Sequence, residues 1–179
     1  MKASFCLFRF GTLSIATFGY FCSGCFYPPV HPHNTAPPAI MVNKPFDLVW
    51  DATHKVIAAN GYRLVTEEPG SGLIETQAFG GFTLTDADCG QLRSIANKYD
   101  AEPGIDATVV YNFYVRPAGG EATTVSVQAT FDAPLQIPLH PTTDVQCLSR
   151  GVQEKRLLKA IASASADERR PVFSQSTVK

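Results

Sequence analysis

At 179 residues, with 45% apolar and 17% charged residues, the chain has the length and composition of one globular domain with tails. Fifteen Lys and Arg against sixteen Asp and Glu leave a formal charge of −1. A balance this close to neutral excludes the basic footprint of a nucleic-acid-binding protein.

The first predicted element is a signal peptide over residues 1–24. Lys2 and Arg9 supply a charged start with no acid among them, and Phe10 to Cys22 is an apolar run with small residues mixed in. Crossing a bilayer takes about 20 apolar residues; this run is shorter, and Pro28 and Pro29 soon close it off. Removing the signal takes the formal charge from −1 to −3, because Lys2 and Arg9 leave with it.

Cys22-Ser23-Gly24-Cys25 resembles the lipobox of bacterial lipoproteins: a branched apolar residue, two small residues, then cysteine. Cys22 departs from the usual branched residue, while Ser23, Gly24 and Cys25 fit. The resemblance implies a diacylglycerol thioether on Cys25 and cleavage in front of it. The mature amino terminus would carry three acyl chains of the palmitate class. One chain binds a membrane only marginally, and each buried CH₂ contributes about 0.8 kcal/mol, so several chains give a stable anchor. Phe26 stands where Asp would retain an enterobacterial lipoprotein in the inner membrane, so the resemblance points to the outer membrane, facing the periplasm. Phe26 and Tyr27 suit the headgroup level, where aromatic rings are favoured. The alternative is ordinary cleavage after Gly24, giving a soluble secreted protein with a free Cys25.

The chain has five cysteines. Cys6 and Cys22 leave with the signal and Cys25 takes the lipid. Cys89 and Cys147 remain as a pair in an oxidising compartment, where a structural disulfide is expected. They lack the C-x-x-C spacing of a redox-active pair. Closing a loop this long contributes roughly 4 kcal/mol in the chain-entropy model.

Residues 25–42 carry Pro28, Pro29, Pro32, Pro37 and Pro38. Proline has no N–H to give a ladder or a helix, so this stretch reads as a semi-rigid tether that holds the domain roughly 40 Å from the lipid surface. His31 and His33 lie on it and amount to half a metal site, whereas zinc takes three or four ligands.

A folded domain is expected over residues 43–163. Its first helix has Asn43 as cap, Pro45 early, and a stop at Asn60-Gly61. Phe46, Val49, Trp50, Thr53, Val56 and Ile57 fall on one helical face, and Asp47 and Asp51 suit the first turns. Two strands follow, Tyr62–Thr66 and Leu73–Ala78, around the turn signal Glu67 to Gly72. The clearest hairpin sets Val109, Tyr111, Phe113 and Val115 against Val125, Val127, Ala129 and Phe131, with Gly119-Gly120 at its tip. Ser126, Gln128 and Thr130 alternate outward, the pattern of an antiparallel sheet wet on one face. The last helix runs from Ser149, as cap, through Leu157, Leu158 and Ile161. Residues 164–179 are polar and aperiodic and read as a disordered tail.

The expected fold is therefore α+β: a two-layer sandwich with an antiparallel sheet of four or five strands and two helices on one face, in the order α-β-β-β-β-α. The connections Phe79–Gly104 and Asp132–Gln146 are long for a compact domain and have room for short strands near Phe82–Thr85 or Leu135–Leu139. This architecture resembles the helix-grip domains of BamC-type lipoproteins of the outer-membrane assembly machine. That family joins a lipidated cysteine, an extended segment and α+β domains, and the resemblance implies an accessory binding subunit.

Signals for chemistry are few. Asp51 and His54, one turn apart, have the form of an orienter and a base, but no nucleophile accompanies them. His140 sits between Leu139 and Pro141 without an identifiable partner. No phosphate loop, nucleophile elbow or zinc-spaced cysteine set occurs. The expectation is a noncatalytic envelope lipoprotein that binds the membrane through its lipid and a protein partner through its domain. It has no cofactor, metal or nucleic acid. The alternative is an envelope enzyme, or a carrier of a small apolar ligand between helices and sheet.

Overall fold

A computed structural model describes residues 25–27, 37–93, 98–100, 106–135 and 143–167. Among them the chain is mixed α+β, with an antiparallel main sheet of eight strands, a separate three-stranded sheet and two helices. Strand β1 (Cys25–Tyr27) belongs to the small sheet. Strand β2 (Ala39–Val42) belongs to the main one and pairs with the later strand residues Thr123–Ser126. Both lie in the stretch expected to be a semi-rigid tether, which at Cys25–Tyr27 and Ala39–Val42 is instead paired strand; residues 28–36 lie outside the described residues. Proline lacks a donor but keeps its acceptor: the Pro38 carbonyl takes a hydrogen bond from the Val127 N–H at 3.3 Å. A proline-rich segment can thus lead directly into a ladder.

Helix α1 (Phe46–Ala59) buries Val49, Trp50, Ala52, Thr53, Val56 and Ile57, and Phe46 packs partly buried against the same core. Its start differs from expectation. Pro45, not Asn43, occupies the cap position, with φ −64° and ψ 157° and no side-chain cap bond. Its fixed φ suits the extended backbone before a helix. At the other end, Asn60 Nδ2 donates to the Val56 carbonyl at 2.8 Å, and Gly61 turns the chain with φ +72°. Thr53 sits in mid-helix without cost to the core because its hydroxyl donates to the Val49 carbonyl at 2.8 Å.

Strands β3 (Leu64–Glu68) and β4 (Leu73–Thr76) form the expected hairpin. Gly72 closes its turn at φ +71°, and a Cβ there would lie 1.9 Å from the Val115 carbonyl oxygen. The same glycine's carbonyl accepts from the Val115 N–H at 2.8 Å. Position 72 therefore needs both a left-handed backbone and the absence of a side chain. Gly72→Ala is expected to destabilise the domain by about 2–3 kcal/mol, read as a lower denaturation midpoint. Gly70→Ala, with nothing within 4 Å of its added Cβ, is the control and should move the midpoint little.

The excursion after β4 contains β5 (Phe79–Gly80), β6 (Ala87–Asp88), β7 (Gln91–Arg93) and β8 (Lys98–Asp100). The strand expected near Phe82–Thr85 is loop and turn, and the short strands flank it. Next come β9 (Thr108–Gly119) and β10 (Ala122–Leu135), paired from Asp132↔Thr108 to Ala122↔Gly119. The other extra strand was expected over Leu135–Leu139: Leu135 ends β10, and residues 136–139 lie outside the described residues. Strand β11 (Thr143–Ser149) and helix α2 (Val152–Asp167) complete the chain. Helix α2 takes in four residues of the expected tail, through Asp167.

The sheet is larger than the expected four or five strands, and its order differs, because the central hairpin is long. The outer edge of β9 takes β4 at Asn112–Tyr114 and β5 at Thr108–Val109. The outer edge of β10 takes β2 at Thr123–Ser126 and β11 at Phe131–Leu135. Each central strand thus serves two shorter ones along one edge. The main path runs β3-β4-β9-β10-β11-β6. Val109, Tyr111, Phe113 and Val115 of β9 share one buried cluster with Val125, Val127 and Phe131 of β10. Val49, Trp50, Val56 and Ile57 of α1 and Leu157, Leu158 and Ile161 of α2 belong to the same cluster.

Candidate functional site

The expected site residues fall in different places. Cys25 is on β1, in register with Arg93 of β7. Cys89, between β6 and β7, meets Cys147 of β11 in a disulfide, with sulfurs 2.01 Å and Cα atoms 4.2 Å apart. The Cα spacing is slightly under the usual 4.4–6.8 Å. Both cysteines are buried in the core cluster. His31, His33 and His140 lie outside the described residues. Asp51 is exposed, and His54 faces another way: its Nε2 lies 3.2 Å from Glu67 Oε1 of β3, without hydrogen-bond alignment. The Trp50 ring packs beside His54 at 5.3 Å between centroids. The structure therefore does not bring Asp51 and His54 together as an orienter and a base.

A polar cluster that the sequence did not announce lies where α2 meets the sheet. Asp86, 8% exposed, is held in a tight turn. Its Oδ2 accepts from the backbone N–H and the hydroxyl of Thr83, both at 3.0 Å. Its Oδ1 accepts from Gln153 Nε2 of α2 at 2.8 Å, and its carbonyl from the Arg150 N–H at 2.8 Å. Burial alone would raise the Asp86 pKa. The bonds from Gln153 and Thr83, with the charge of Arg156, outweigh it and leave the carboxylate below its ordinary value.

Glu154, in the first turn of α2 and 3% exposed, accepts through Oε1 from the Ser149 hydroxyl. The Ser149 oxygen also accepts from the Gly151 N–H at 2.9 Å. Ser149, expected as the helix cap, thus ends β11 and braces the approach to α2. Glu154 Oε2 is buried with no hydrogen-bond partner among the described residues.

An aromatic group adjoins the carboxylates. Tyr62 stacks on Phe79 at 4.6 Å and tilts against Tyr111 at 5.3 Å. Burial pushes both phenols above their ordinary value. At Tyr111 the Tyr62 hydroxyl and the negative charges of Glu154 and Asp86 push further, while Arg156 partly offsets the rise at Tyr62. Both phenols therefore stay protonated at neutral pH. With its oxygens already engaged, Asp86 acts as an acceptor that ties the loop before β6 to α2.

The cluster escapes sequence reading because its members come from five separated segments. Only Thr83 and Asp86, three residues apart, carry a local signal, that of a side-chain-capped turn. Among the described residues, no group of three or more His, Cys, Asp or Glu is placed to hold a metal ion, and no helix is long and apolar enough to cross a membrane. No protein-family model matches the chain, and no curated protein matches it significantly.

Proposed function

We propose that this protein is a lipid-anchored envelope lipoprotein, held at the outer membrane through Cys25, whose domain binds a protein partner and performs no reaction. We read its fold as a two-layer sandwich with both helices on one face of the sheet. The observation that carries the binding reading is the sheet edge at β3. Among the described residues β3 has β4 on one side and no strand on the other, and it presents Leu64 and Val65, 37% and 66% exposed. An open edge with apolar side chains is the kind of surface to which an extended partner segment adds. The space between helices and sheet, by contrast, is occupied by side chains such as Phe113, Val127 and Ile161, each fully buried. Anchoring raises the effective concentration of a weak binder near its target, so a modest interface suffices.

The alternative, an envelope enzyme or carrier of a small apolar ligand, has one observation on its side: the unpartnered, buried Glu154 Oε2 beside the tyrosine pair.

A photo-crosslinking residue in place of Thr66 separates the two readings. Intact cells should yield one discrete protein adduct. Val65→Arg should reduce it at least tenfold, a difference of about 1.4 kcal/mol, and should leave the fold unchanged because position 65 is exposed. Asp51→Asn with His54→Ala should leave adduct and phenotype intact. An adduct indifferent to Val65→Arg, or a phenotype abolished by the second pair in folded protein, would reject the binding reading.

A further inference from the structure

The bonding pattern of β3 shows which of its residues face the edge that is open among the described residues. The Gln77 N–H donates to the Arg63 carbonyl at 2.7 Å, and the Gly72 N–H to the Glu68 carbonyl at 2.9 Å. Arg63 and Glu68 thus turn their carbonyls toward β4 and its turn. Backbone groups alternate in direction along an antiparallel strand, so their neighbours Leu64 and Glu67 present N–H and C=O outward. Two inward residues five positions apart break simple alternation; the register shift between Leu64 and Thr66 supplies the extra residue. The side chains are sorted as well. Leu64 pairs with Thr76 and Glu67 with Ile74, and both partners are buried. Cross-strand partners share a face, so Leu64 and Glu67 lie on the buried face of the sheet. Arg63 and Glu68 alternate to the opposite face, and both are exposed.

We infer that a second copy of this chain occupies the open edge, its β3 antiparallel to the first about a twofold axis between Val65 and Thr66. The inference rests on the reading of β3 as a binding edge and names its partner. In this register Leu64 faces Glu67 of the second copy, Arg63 faces Glu68 and Val65 faces Thr66, and each contact occurs twice, as in any isologous interface. The backbone fits, because the two outward residues meet each other and can exchange N–H and C=O bonds. The faces fit, because buried-face residues meet buried-face residues. The charges fit, because Arg63 and Glu68 stand directly across from each other on the exposed face, twice. A slip of one residue moves every side chain to the other face and parts Arg63 from Glu68. Charged side chains on an edge ordinarily discourage pairing. Here Glu67 lies 3.2 Å from His54 Nε2 of its own chain, and Glu68 repels an extended segment that brings no cation to its position. The second copy brings Arg63. Leu64 and Val65, exposed in the single chain, lie beside the axis, where the pairing covers them.

The test uses the full chain with the photo-crosslinking residue in place of Thr66, irradiated in intact cells. Val65 of the second copy lies opposite that position, so the adduct should have twice the mass of the chain, with both crosslinked peptides from this sequence. Arg63→Glu sets like charges against each other at both ends of the paired strands and should lower the adduct about tenfold. Glu68→Arg should do the same. Both changes in one chain restore opposite charges and should restore the adduct. Producing the two single variants together should restore it as well, now between unlike copies. Positions 63 and 68 are exposed, and an unchanged melting midpoint checks that each variant is folded. A doubled-mass adduct that neither exchange restores overturns the proposed pairing. An adduct with a different protein overturns this inference and leaves β3 a binding edge. A crosslink within one chain, or none at all, overturns both.

Discussion

Replacing Cys89 and Cys147 together by alanine is expected to lower the stability of the domain by about 4 kcal/mol. The pair spans 58 residues, and closing a loop of that length removes about this much free energy from the unfolded ensemble. Both side chains are buried, at 0% and 4% exposure, so alanine avoids leaving a polar atom without a partner. The melting temperature should fall by about 8–16 °C for a domain of this size. Damage should concentrate around β6, which among the described residues pairs only at the two positions Leu148↔Asp88 and Ser149↔Ala87. The Gln153–Asp86 bond should loosen with it, because the turn that presents Asp86 is held from that side. Treating the unaltered protein with a reductant that reaches the bond should give the same midpoint as the double variant. An unchanged midpoint in both, or two free thiols in protein taken from the periplasm, would reject a structural disulfide.

Cys25→Ser carries the largest expected effect on location. On the proposed lipid anchor, the serine variant forms no thioether and gains no acyl chains, so the protein should leave the membrane fraction or persist as an uncut precursor. The change should be near complete, because one remaining apolar segment does not replace several chains. Stability of the domain should stay within about 0.5 kcal/mol, since β1 pairs in the small sheet and not in the main one and serine keeps its backbone bonds. Cell fractionation and the mass of the mature amino terminus read the two halves of the prediction separately. A membrane-bound Cys25→Ser protein would mean that something other than the lipid holds it.

Two elements were legible because their information is local. The face of α1 follows from the spacing of Val49, Trp50, Thr53, Val56 and Ile57, which repeats with the turn of the helix. The central hairpin follows from alternation in Thr108–Val115 and Thr124–Phe131 around Gly119-Gly120, and its register, Val125↔Val115 and Val127↔Phe113, agrees with it. Strands of two residues such as β5 and β6 carry no period at all. Strand β2 follows five prolines and reads as coil until a partner appears whose N–H can use the Pro38 carbonyl. The sheet therefore grew beyond its sequence-based size at the positions where pairing, not periodicity, makes a strand.

The same division runs through the site. By itself the sequence pointed to Cys89 and Cys147 as a pair, which the structure joins, and to the residues on the buried face of each long element, because periodicity acts residue by residue. Only the tertiary structure decided what those elements set side by side. It turned His54 to Glu67, joined Asp86 to Gln153 across 67 positions, and buried Glu154 beside the tyrosines. Such partners are chosen by the register of strands far apart in the chain, and a one-residue slip in that register exchanges every neighbour.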